Sequence, residues 1–508
     1  MSTRTAVERL WKANGLPPAW LSRLLTDSTS DPCVNSSFKL GTTAQSTIGL
    51  SALAVAHFHE LNTGRKQTVS VDMRHAILEF KSESWYTVDG QLHGSGKLFD
   101  ELAGVYKTKD DNYVRVHTNF PHHRQGILDI LNCAPTKRSV AESLLQWNSF
   151  AFEEETASRK MVATALRSFE DWDSTPQGQA LKSVPPVMLI KVGDAPKRIP
   201  DPSHRRPLQD VRVLDLTRVL AGPVCGRTMA AHGADVLWIT SPKLPDLPEL
   251  DIDTSRGKRT TQLDLTIPED RATLGELVKD ADVFLQAYRP GGLADKGFDV
   301  TDVVSARPGI VYASLRAYGW EGPWSNRRGF DSLVQTATGF NVAEAEAYAK
   351  YTGDSKSSPL PPRALPLQAL DHAAGYLLAF GINAALCKTV TEGGSWEVRV
   401  SLTAVGQWIR SLGTVDPGVA FGRGVPLPPR TLPQVSEVAV RSVELKQAIG
   451  SSTRGEYRKT MSAISHSAVL SETPVEEGEA PMGLDVHSPV WLPRNNMAGP
   501  IYQHDLCY

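Results

Sequence analysis

The feature that most constrains this chain is a regular alternation of apolar runs and helical segments that begins at residue 211. The run 211–216 is continuous and apolar, and further runs follow at 235–239, 282–287 and 310–315. Helical segments lie between them, and Pro223 stands where the first of these would begin, a position that proline tolerates. Strands that are buried on both faces and joined by helices form a parallel sheet with right-handed crossovers. The sequence therefore predicts an α/β protein with a parallel-sheet, Rossmann-like large domain.

The rest of the chain predicts a smaller α+β domain and an arm. An apolar helix is expected at 41–62 and a strand at 187–192, and the segment 104–117 has the pattern of a β-hairpin. Four prolines between 196 and 207 mark a linker, and proline and serine become frequent after about residue 411. The predicted parts are an N-terminal segment (1–40), a unit with a helix-containing repeat and the small domain (41–195), a linker (196–208), the Rossmann-like domain (209–410) and an extended C-terminal arm (411–508).

The amino-acid composition argues against several classes of binding partner and site. Lysine and arginine number 54 and aspartate and glutamate 56, a formal net charge of −2, which offers no general attraction to nucleic acid or to a membrane surface. Five cysteines without a CxxC pair predict neither a disulfide framework nor a cysteine-rich metal site. The apolar stretch 372–387 is shorter than the roughly 18 residues of a membrane span. We expect a cytoplasmic protein, with a mitochondrial or peroxisomal location left open.

An internal repeat links two distant segments. Residues 44–72 and 370–401 both predict a helix, a glycine turn and a strand, and Gly49 aligns with Gly375. Chance similarity between two apolar helix–strand units is the alternative interpretation. The two copies differ where Gln45 in the first corresponds to Asp371 in the second.

Asp371 precedes an otherwise apolar helix, and its position supports two interpretations. Aspartate is a good N-cap, because its carboxylate accepts hydrogen bonds from the free N–H groups of the first turn. The same surroundings would keep the carboxylate ionised and oriented, as a covalent nucleophile requires. His372 is expected to be a packed or surface imidazole rather than a partner of Asp371.

Several loops that follow predicted strands carry groups suited to phosphate. The turn 217–223 leads into a helix N-terminus, which can bind phosphate, but it lacks GxGxxG, so a plain strand-to-helix turn and a dinucleotide site both remain open. Tyr288, Arg289, Lys258 and Arg316 lie in comparable loops. Each basic residue is either a solvated side chain or part of one phosphate-binding rim.

These segments resemble the class III CoA-transferase family, which includes formyl-CoA, carnitine-CoA and bile-acid-CoA transferases and the α-methylacyl-CoA racemases. The resemblance rests on the segments 207–240, 257–265, 280–299, 307–339 and 370–386, which occur in the order of the family. Segments that resemble the family's small domain, 93–117 and 168–187, come before the large domain instead of after it. Residues 471–474 and 481–491 resemble its closing segment. The resemblance thus implies the family's large and small domains in a permuted order.

The resemblance also implies roles for individual residues. Asp371 corresponds to the catalytic aspartate that forms covalent intermediates with acyl and CoA groups. Positions that correspond to the CoA groove are Val219, Leu220, Ala221, Lys258, Tyr288, Arg289, Lys296 and Arg316. Ser241 and Asp295 depart from the family pattern, because arginine is usual at both positions.

The implied function is transfer of CoA from an acyl-CoA thioester to an acceptor carboxylic acid. Two alternatives stay open: an acyl-CoA racemase or isomerase of the same superfamily, and an inactive member that acts as a subunit. Racemisation needs a histidine where this chain has Phe330, which favours transfer. The resemblance further implies an interlocked homodimer, no permanently bound cofactor and no metal, with CoA and acyl-CoA as substrates.

Overall fold

The computed structural model describes residues 1–27, 29–92, 99–354, 360–429, 437–448 and 459–494. Parts of two predicted segments lie outside these residues: the beginning of the small-domain segment 93–117 and the end of the C-terminal arm 411–508. The helices are α1 (Thr3–Ala13), α2 (Leu40–Thr63), α3 (Met73–Glu79), α4 (Pro121–Leu131), α5 (Lys137–Leu144), α6 (Ser149–Ser158), α7 (Phe169–Ser174), α8 (Pro176–Leu181), α9 (Ala221–Ala231), α10 (Pro248–Thr254), α11 (Pro268–Val278), α12 (Val300–Ala306), α13 (Asp331–Ala337), α14 (Phe340–Thr352), α15 (Ala369–Thr391), α16 (Leu402–Ser411) and α17 (Pro417–Arg423).

The strands follow the same chain order. They are β1 (Leu24–Thr26), β2 (Val69–Val71), β3 (Thr87–Val88), β4 (Gln91–Leu92), β5 (Gly104–Lys107), β6 (Tyr113–Val116), β7 (Ala163–Ala165), β8 (Met188–Gly193), β9 (Arg212–Leu216), β10 (Asp235–Thr240), β11 (Arg259–Gln262), β12 (Val283–Gln286), β13 (Val311–Arg316), β14 (Ser395–Ser401), β15 (Ser442–Lys446), β16 (Thr460–Ile464) and β17 (Ala468–Leu470).

The predicted parallel sheet is confirmed. Over the described residues it has seven strands in the order β11-β10-β9-β12-β13-β14-β8, and every neighbouring pair is parallel except β14 and β8. The chain leaves β9 toward β10 on one side, and β12 packs on the other side of β9. Ligands bind at such a reversal of strand order, beyond the carboxyl ends of the strands.

The predicted unit 41–195 does not pack as one body. The hairpin of β5 and β6 is confirmed, and together with β7 and helices α4 to α6 it encloses a small core of its own. By contrast, α2 packs along α15 in the core of the large domain, and β8 is the antiparallel edge strand of the large sheet. The sequence could not show this, because an apolar helix or strand carries no mark of the domain in which it is buried.

The C-terminal arm is more ordered than predicted. Strands β15 and β16 pair with each other, and β16 also pairs with β3, while β17 pairs with β2. His466 Nδ1 lies 2.8 Å from a carboxylate oxygen of the buried Glu79, and the backbone N–H of Ser467 donates to the same carboxylate. The arm is therefore bonded into the body of the protein.

Helix α15 is the central element of the fold. It is 23 residues long and apolar enough to cross a membrane by length and composition, longer than the predicted apolar stretch, but 89% of its most apolar window is buried inside the protein. It approaches the start of α9 closely: a Cβ atom built on Gly375 would lie 2.6 Å from the carbonyl oxygen of Ala221. Glycine at this position lets the two helices touch.

We predict that Gly375→Ala destabilises the fold by about 1–3 kcal/mol, because the added methyl group overlaps a backbone oxygen that cannot move freely. Urea denaturation measures the free energy of unfolding. Gly275→Ala in α11 is the matched control, since a Cβ atom there meets no atom within 4 Å, and a helical glycine-to-alanine change in open space should stabilise by up to about 1 kcal/mol. Equal stability of the two variants would contradict the close approach.

Candidate active site

A buried ion pair stabilises the turn after β9 from the interior of the protein. Lys258 Nζ lies 2.8 Å from Asp215 Oδ2, and Thr217 Oγ1 donates to Asp215 Oδ1 over 2.5 Å. Burial raises the pKa of Asp215 and lowers that of Lys258. A Cβ atom on Gly226 would lie 2.0 Å from Asp215 Oδ2, so glycine is needed for the pair to form.

This ion pair corrects the expectation for Lys258. Its side chain is completely buried and lies over the ring of Trp238, with 4.4 Å between the amine and the ring centroid. It therefore supports the turn from the interior and does not belong to a phosphate-binding rim. Sequence reasoning misplaced it because Asp215, its partner, is 43 residues away in the chain.

The N-terminal turn of α15 is capped by Asp331, not by Asp371. The backbone N–H groups of Leu370 and Asp371 donate to Asp331 Oδ2 over 2.7 and 3.0 Å. Gln335 Nε2 donates to the other oxygen over 2.5 Å. Over the described part of the chain, no hydrogen bond uses the Asp371 carboxylate, although the residue is only 9% exposed. The capping interpretation of Asp371 is therefore wrong.

The carboxylate of Asp371 is costly to ionise. Burial first, and then the neighbouring Asp331 and Glu83, raise its pKa well above the ordinary value. Asp331 accepts three N–H donors and so carries the negative charge of the pair more readily. Glu83 lies 3.1 Å from His372 Nε2, and His372 stacks on Phe80 with 5.4 Å between ring centroids, which confirms a packed imidazole.

Asp371 lies where two cavities meet. The first has a volume of about 360 Å³ and opens at the reversal of strand order, beyond the ends of β9, β12 and β13. Of the predicted site residues, the structure brings together Val219, Leu220, Ala221, Tyr288, Arg289, Arg316 and Asp371 in its wall. Val219 has a φ of 75°, a left-handed conformation that is unusual for a β-branched residue and marks the turn as constrained.

The first cavity is strongly basic. Five arginines line it, and Asp371 is the one acidic residue of its described wall; the arginines are Arg218, Arg289, Arg316, Arg327 and Arg328. Loss of solvent and the nearby charges of Arg328 and Arg218 lower the pKa of Arg289 to about 10. Neighbouring positive charges lower the pKa of one another because they repel. An anionic ligand would relieve this repulsion, so the cavity favours an anion.

Sequence analysis missed three of these arginines and two small-domain residues of the wall, Phe120 and His122. Arg218 lies in the predicted turn, and its guanidinium stacks on Phe120 at 5.0 Å. Arg328 Nη1 lies 3.1 Å from His123 Nε2. The sequence could have indicated Arg218, because this residue directly follows a predicted strand. No sequence pattern indicated that residues of the small domain line the cavity.

Lys296 is not brought to the cavity. It ends a short 3-10 helix, Ala294–Lys296, and does not line the first cavity. Ser241 lies beside a separate small pocket next to Arg218, and Asp295 is exposed.

The second cavity has a volume of about 420 Å³ and lies between α15 and the small domain. Asp371, Val219, Leu220 and Phe330 belong to both cavities. Its wall is mixed, with apolar side chains beside charged ones: Trp85, Phe99, Phe330, Leu250, Leu365 and Leu367 beside Lys81, Glu83, Arg115, His117, Asp331 and Asp371. A carboxylate between a basic cavity and a mixed one can contact two different ligands.

Part of the chain is similar to known proteins. Residues 208–416 match the model of CoA-transferase family III. Over these residues the chain is similar to class III CoA-transferases. The acetyl-coenzyme A transferase nodX of Hypoxylon pulicicidum is 36% identical over 42% of this chain and 35% of its own length. An acyl-CoA transferase of Gibberella moniliformis is 26% identical over 70% of this chain and 68% of its own length.

A solved structure is similar over a comparable share of the chain. Rv3272 of Mycobacterium tuberculosis is 33% identical over 41% of this chain and 57% of that chain, with a TM-score of 0.35. The chain thus spans between about a third and two thirds of the length of these relatives.

We predict that Asp331→Ala lowers the free energy of unfolding at pH 7 by about 1–2 kcal/mol, because two N–H groups of α15 lose their acceptor.

By contrast, Asp371→Asn should not lower the free energy of unfolding. A carboxyl group with a raised pKa in the folded state destabilises that state as pH rises above its unfolded pKa of about 4. Urea denaturation at pH 5 and pH 8 should therefore show Asp371→Asn gaining stability relative to the wild type at the higher pH. Equal destabilisation by both substitutions would restore Asp371 as the cap.

Proposed function

We propose that this protein is a CoA-transferase that moves CoA from an acyl-CoA thioester to an acceptor carboxylic acid through covalent aspartyl intermediates on Asp371. The observation that carries the proposal is the Asp371 carboxylate itself. It is buried at the junction of two cavities and has no hydrogen-bonding role in the described part of the chain. A stabilising role would have supplied it with partners.

The basic cavity fits the nucleotide end of CoA. Arginine pairs well with phosphate oxygens, and the N-terminal turn of α9 adds N–H groups and a positive dipole end. Arg289 and Arg328 have no carboxylate within ion-pair distance in the described residues, and Arg218 donates to a backbone carbonyl. Val219, Leu220 and Ala221 offer an apolar turn beside them.

The proposed chemistry has four balanced exchanges. The Asp371 carboxylate attacks the thioester carbon, giving an acyl–aspartyl anhydride and the CoA thiolate. The thiolate attacks the aspartyl carbonyl, which releases the donor acid and leaves an aspartyl–CoA thioester. The acceptor carboxylate attacks that thioester and again frees the thiolate, which then attacks the acyl carbonyl of the new anhydride and restores Asp371. No net proton is taken up.

The raised pKa of Asp371 has a consequence for this chemistry. The carboxylate must be ionised to attack, so the transfer rate should rise with pH as the proton is lost. A poorly solvated carboxylate is also a stronger nucleophile than one that accepts N–H donors. Capping by Asp331 thus leaves the neighbouring carboxylate available.

The remaining expectations are part of the same proposal. The protein acts without a permanently bound cofactor or metal, as an interlocked homodimer in the cytoplasm, with acyl-CoA and a carboxylic acid as substrates. The large and small domains are a permuted form of the family arrangement. An inactive subunit would instead show no thioester exchange when acyl-CoA and acid pairs are followed by mass spectrometry.

Asp371→Asn tests the mechanism. We expect CoA exchange to fall by several orders of magnitude with little change in melting temperature, because the amide cannot attack. Hydroxylamine should inactivate the wild type only when acyl-CoA is present, by trapping the aspartyl intermediate, and should not affect the variant.

Asp194→Asn is the matched control, since that carboxylate is 96% exposed and outside both cavities. It should keep full activity. An Asp371→Asn variant that still turns over, in an enzyme stable to hydroxylamine, would remove the central residue of the mechanism.

One observation keeps the racemase alternative open. His117 of the small domain stacks on Phe330, with 4.0 Å between ring centroids, and lines the same cavity as Asp371. Phe330 occupies the position of the expected histidine base, so an imidazole is present beside it after all. Burial, together with the charge of Arg115, lowers the pKa of His117 to about 3, which makes it a weak base.

We therefore predict that the enzyme does not exchange the α-hydrogen of a 2-methylacyl-CoA with solvent. Incubation in heavy water followed by mass spectrometry measures the incorporated deuterium, and His117→Ala gives the background. Incorporation that is rapid in the wild type and lost in this variant would identify a racemase.

A further inference from the structure

A short segment of the C-terminal arm lines the second cavity. Pro428 lies in the same wall as Asp371 and Trp85. Leu427 and Pro428 are half-buried, although the arm on either side of them is exposed. The transfer chemistry gives this segment no role, so its place at the cavity calls for a different explanation.

Arg74 of α3 holds this segment in place. Its guanidinium donates to the carbonyl oxygens of Val425 and Pro426 over 3.2 and 2.9 Å. It also donates to the carbonyl oxygen of Cys33 over 2.7 Å and pairs with Glu437, which lies further along the arm. The Arg74 side chain is only 13% exposed. These bonds are therefore largely shielded from water and stabilise more than the same contacts would at the surface.

The segment is stiff between its anchor and the cavity. It contains Pro426, Pro428 and Pro429, and proline holds its own φ angle at about −65°. The segment therefore has little freedom once its carbonyl groups are bound. Leu427 packs against the apolar cluster that contains Trp85, a residue of the cavity wall. Binding of the two carbonyl groups thus also fixes the position of the Pro428 ring.

We propose that the C-terminal arm limits the length of the acyl group that this protein accepts, with Pro428 as the specificity-determining residue and Arg74 as the positioning residue. This proposal rests on the proposed transferase function, in which the acyl group that reacts at Asp371 extends into one of the two cavities. The first cavity is basic and fits phosphate, so the acyl group extends into the second, where Trp85 and Phe99 supply apolar surface. A rigid ring in that wall excludes additional methylene groups, because a packed wall gives way only at a cost in free energy.

The test measures kcat/KM for straight-chain acids from butanoate to dodecanoate, with acetyl-CoA as the donor. The wild type should accept acids up to a limiting length and should lose about tenfold or more in kcat/KM beyond it. P428A removes part of the ring and should move the limit to a longer acid. The preference for the first excluded acid over butanoate should then rise by about tenfold. The proposal is overturned if the wild type shows no limiting length or if P428A leaves the limit unchanged.

R74Q tests the positioning role of Arg74. It should move the limiting length in the same direction as P428A, and R74K should move it less. A merely structural arginine would lower the melting temperature and leave the ratio between acids as it is. The double variant R74Q/P428A should move the limit no further than P428A alone, and additive shifts would show that Arg74 does not act through Pro428. Arg138→Gln is the matched control, because that arginine is 88% exposed on α5, and it should leave the limit unchanged.

Calorimetric binding of the same acids separates this proposal from the transferase proposal. The affinity should fall beyond the same limiting length in the wild type, and P428A should extend it. If binding shows this limit and its shift but no CoA exchange occurs, the transferase proposal fails and the role of Pro428 stands. Exchange with a limit that neither P428A nor R74Q moves has the opposite meaning. The proposal is also overturned if none of the acids binds.

Discussion

The contact between helix α15 and the start of α9 sets the position of the candidate site. Because Gly375 has no side chain, α15 packs directly on the carbonyl of Ala221, and Asp371, one turn earlier, lies beside the turn after β9. That turn is itself supported by the buried pair of Lys258 and Asp215. Two glycines, at positions 226 and 375, thus allow the approaches on which both cavities depend.

The electrostatic character of the site follows from which carboxylate caps α15. Asp331 takes the N–H groups and Asp371 takes none. The N-terminus of a helix usually stabilises a nearby carboxylate through such hydrogen bonds. Here the stabilised carboxylate is Asp331 and not Asp371. Asp371 is consequently buried, difficult to ionise and available to a ligand, a combination that lowers stability and is typical of functional groups.

The two helices of the internal repeat differ in the bonding of one buried polar residue. Helices α2 and α15 pack against each other, and Gln45 stands where α15 has Asp371. Gln45 is completely engaged: its oxygen accepts from Thr3 Oγ1 over 2.7 Å, and its nitrogen donates to Asp27 and to the carbonyl of Val71. The first copy therefore carries a satisfied amide and the second a carboxylate without partners.

The sequence by itself determined the parallel sheet, the apolar helix of Asp371, the hairpin of the small domain and most of the loops that line the first cavity. These features follow from local patterns, since hydrophobic periodicity reports which face of a nearby element is buried. It also indicated the class of chemistry, through the order of five segments. Such patterns say nothing about which distant element completes a contact.

Tertiary structure decided the rest. It placed β8 on the large sheet, paired β16 with β3 across more than 370 residues, and assigned the cap of α15 to Asp331. It also buried Lys258 beside Asp215 and left the carboxylate of Asp371 without a hydrogen bond in the described part of the chain. The physical reason is the same in each case: the state of a charged group depends on how far it is removed from water and on what lies within a few ångströms, and only packing sets both.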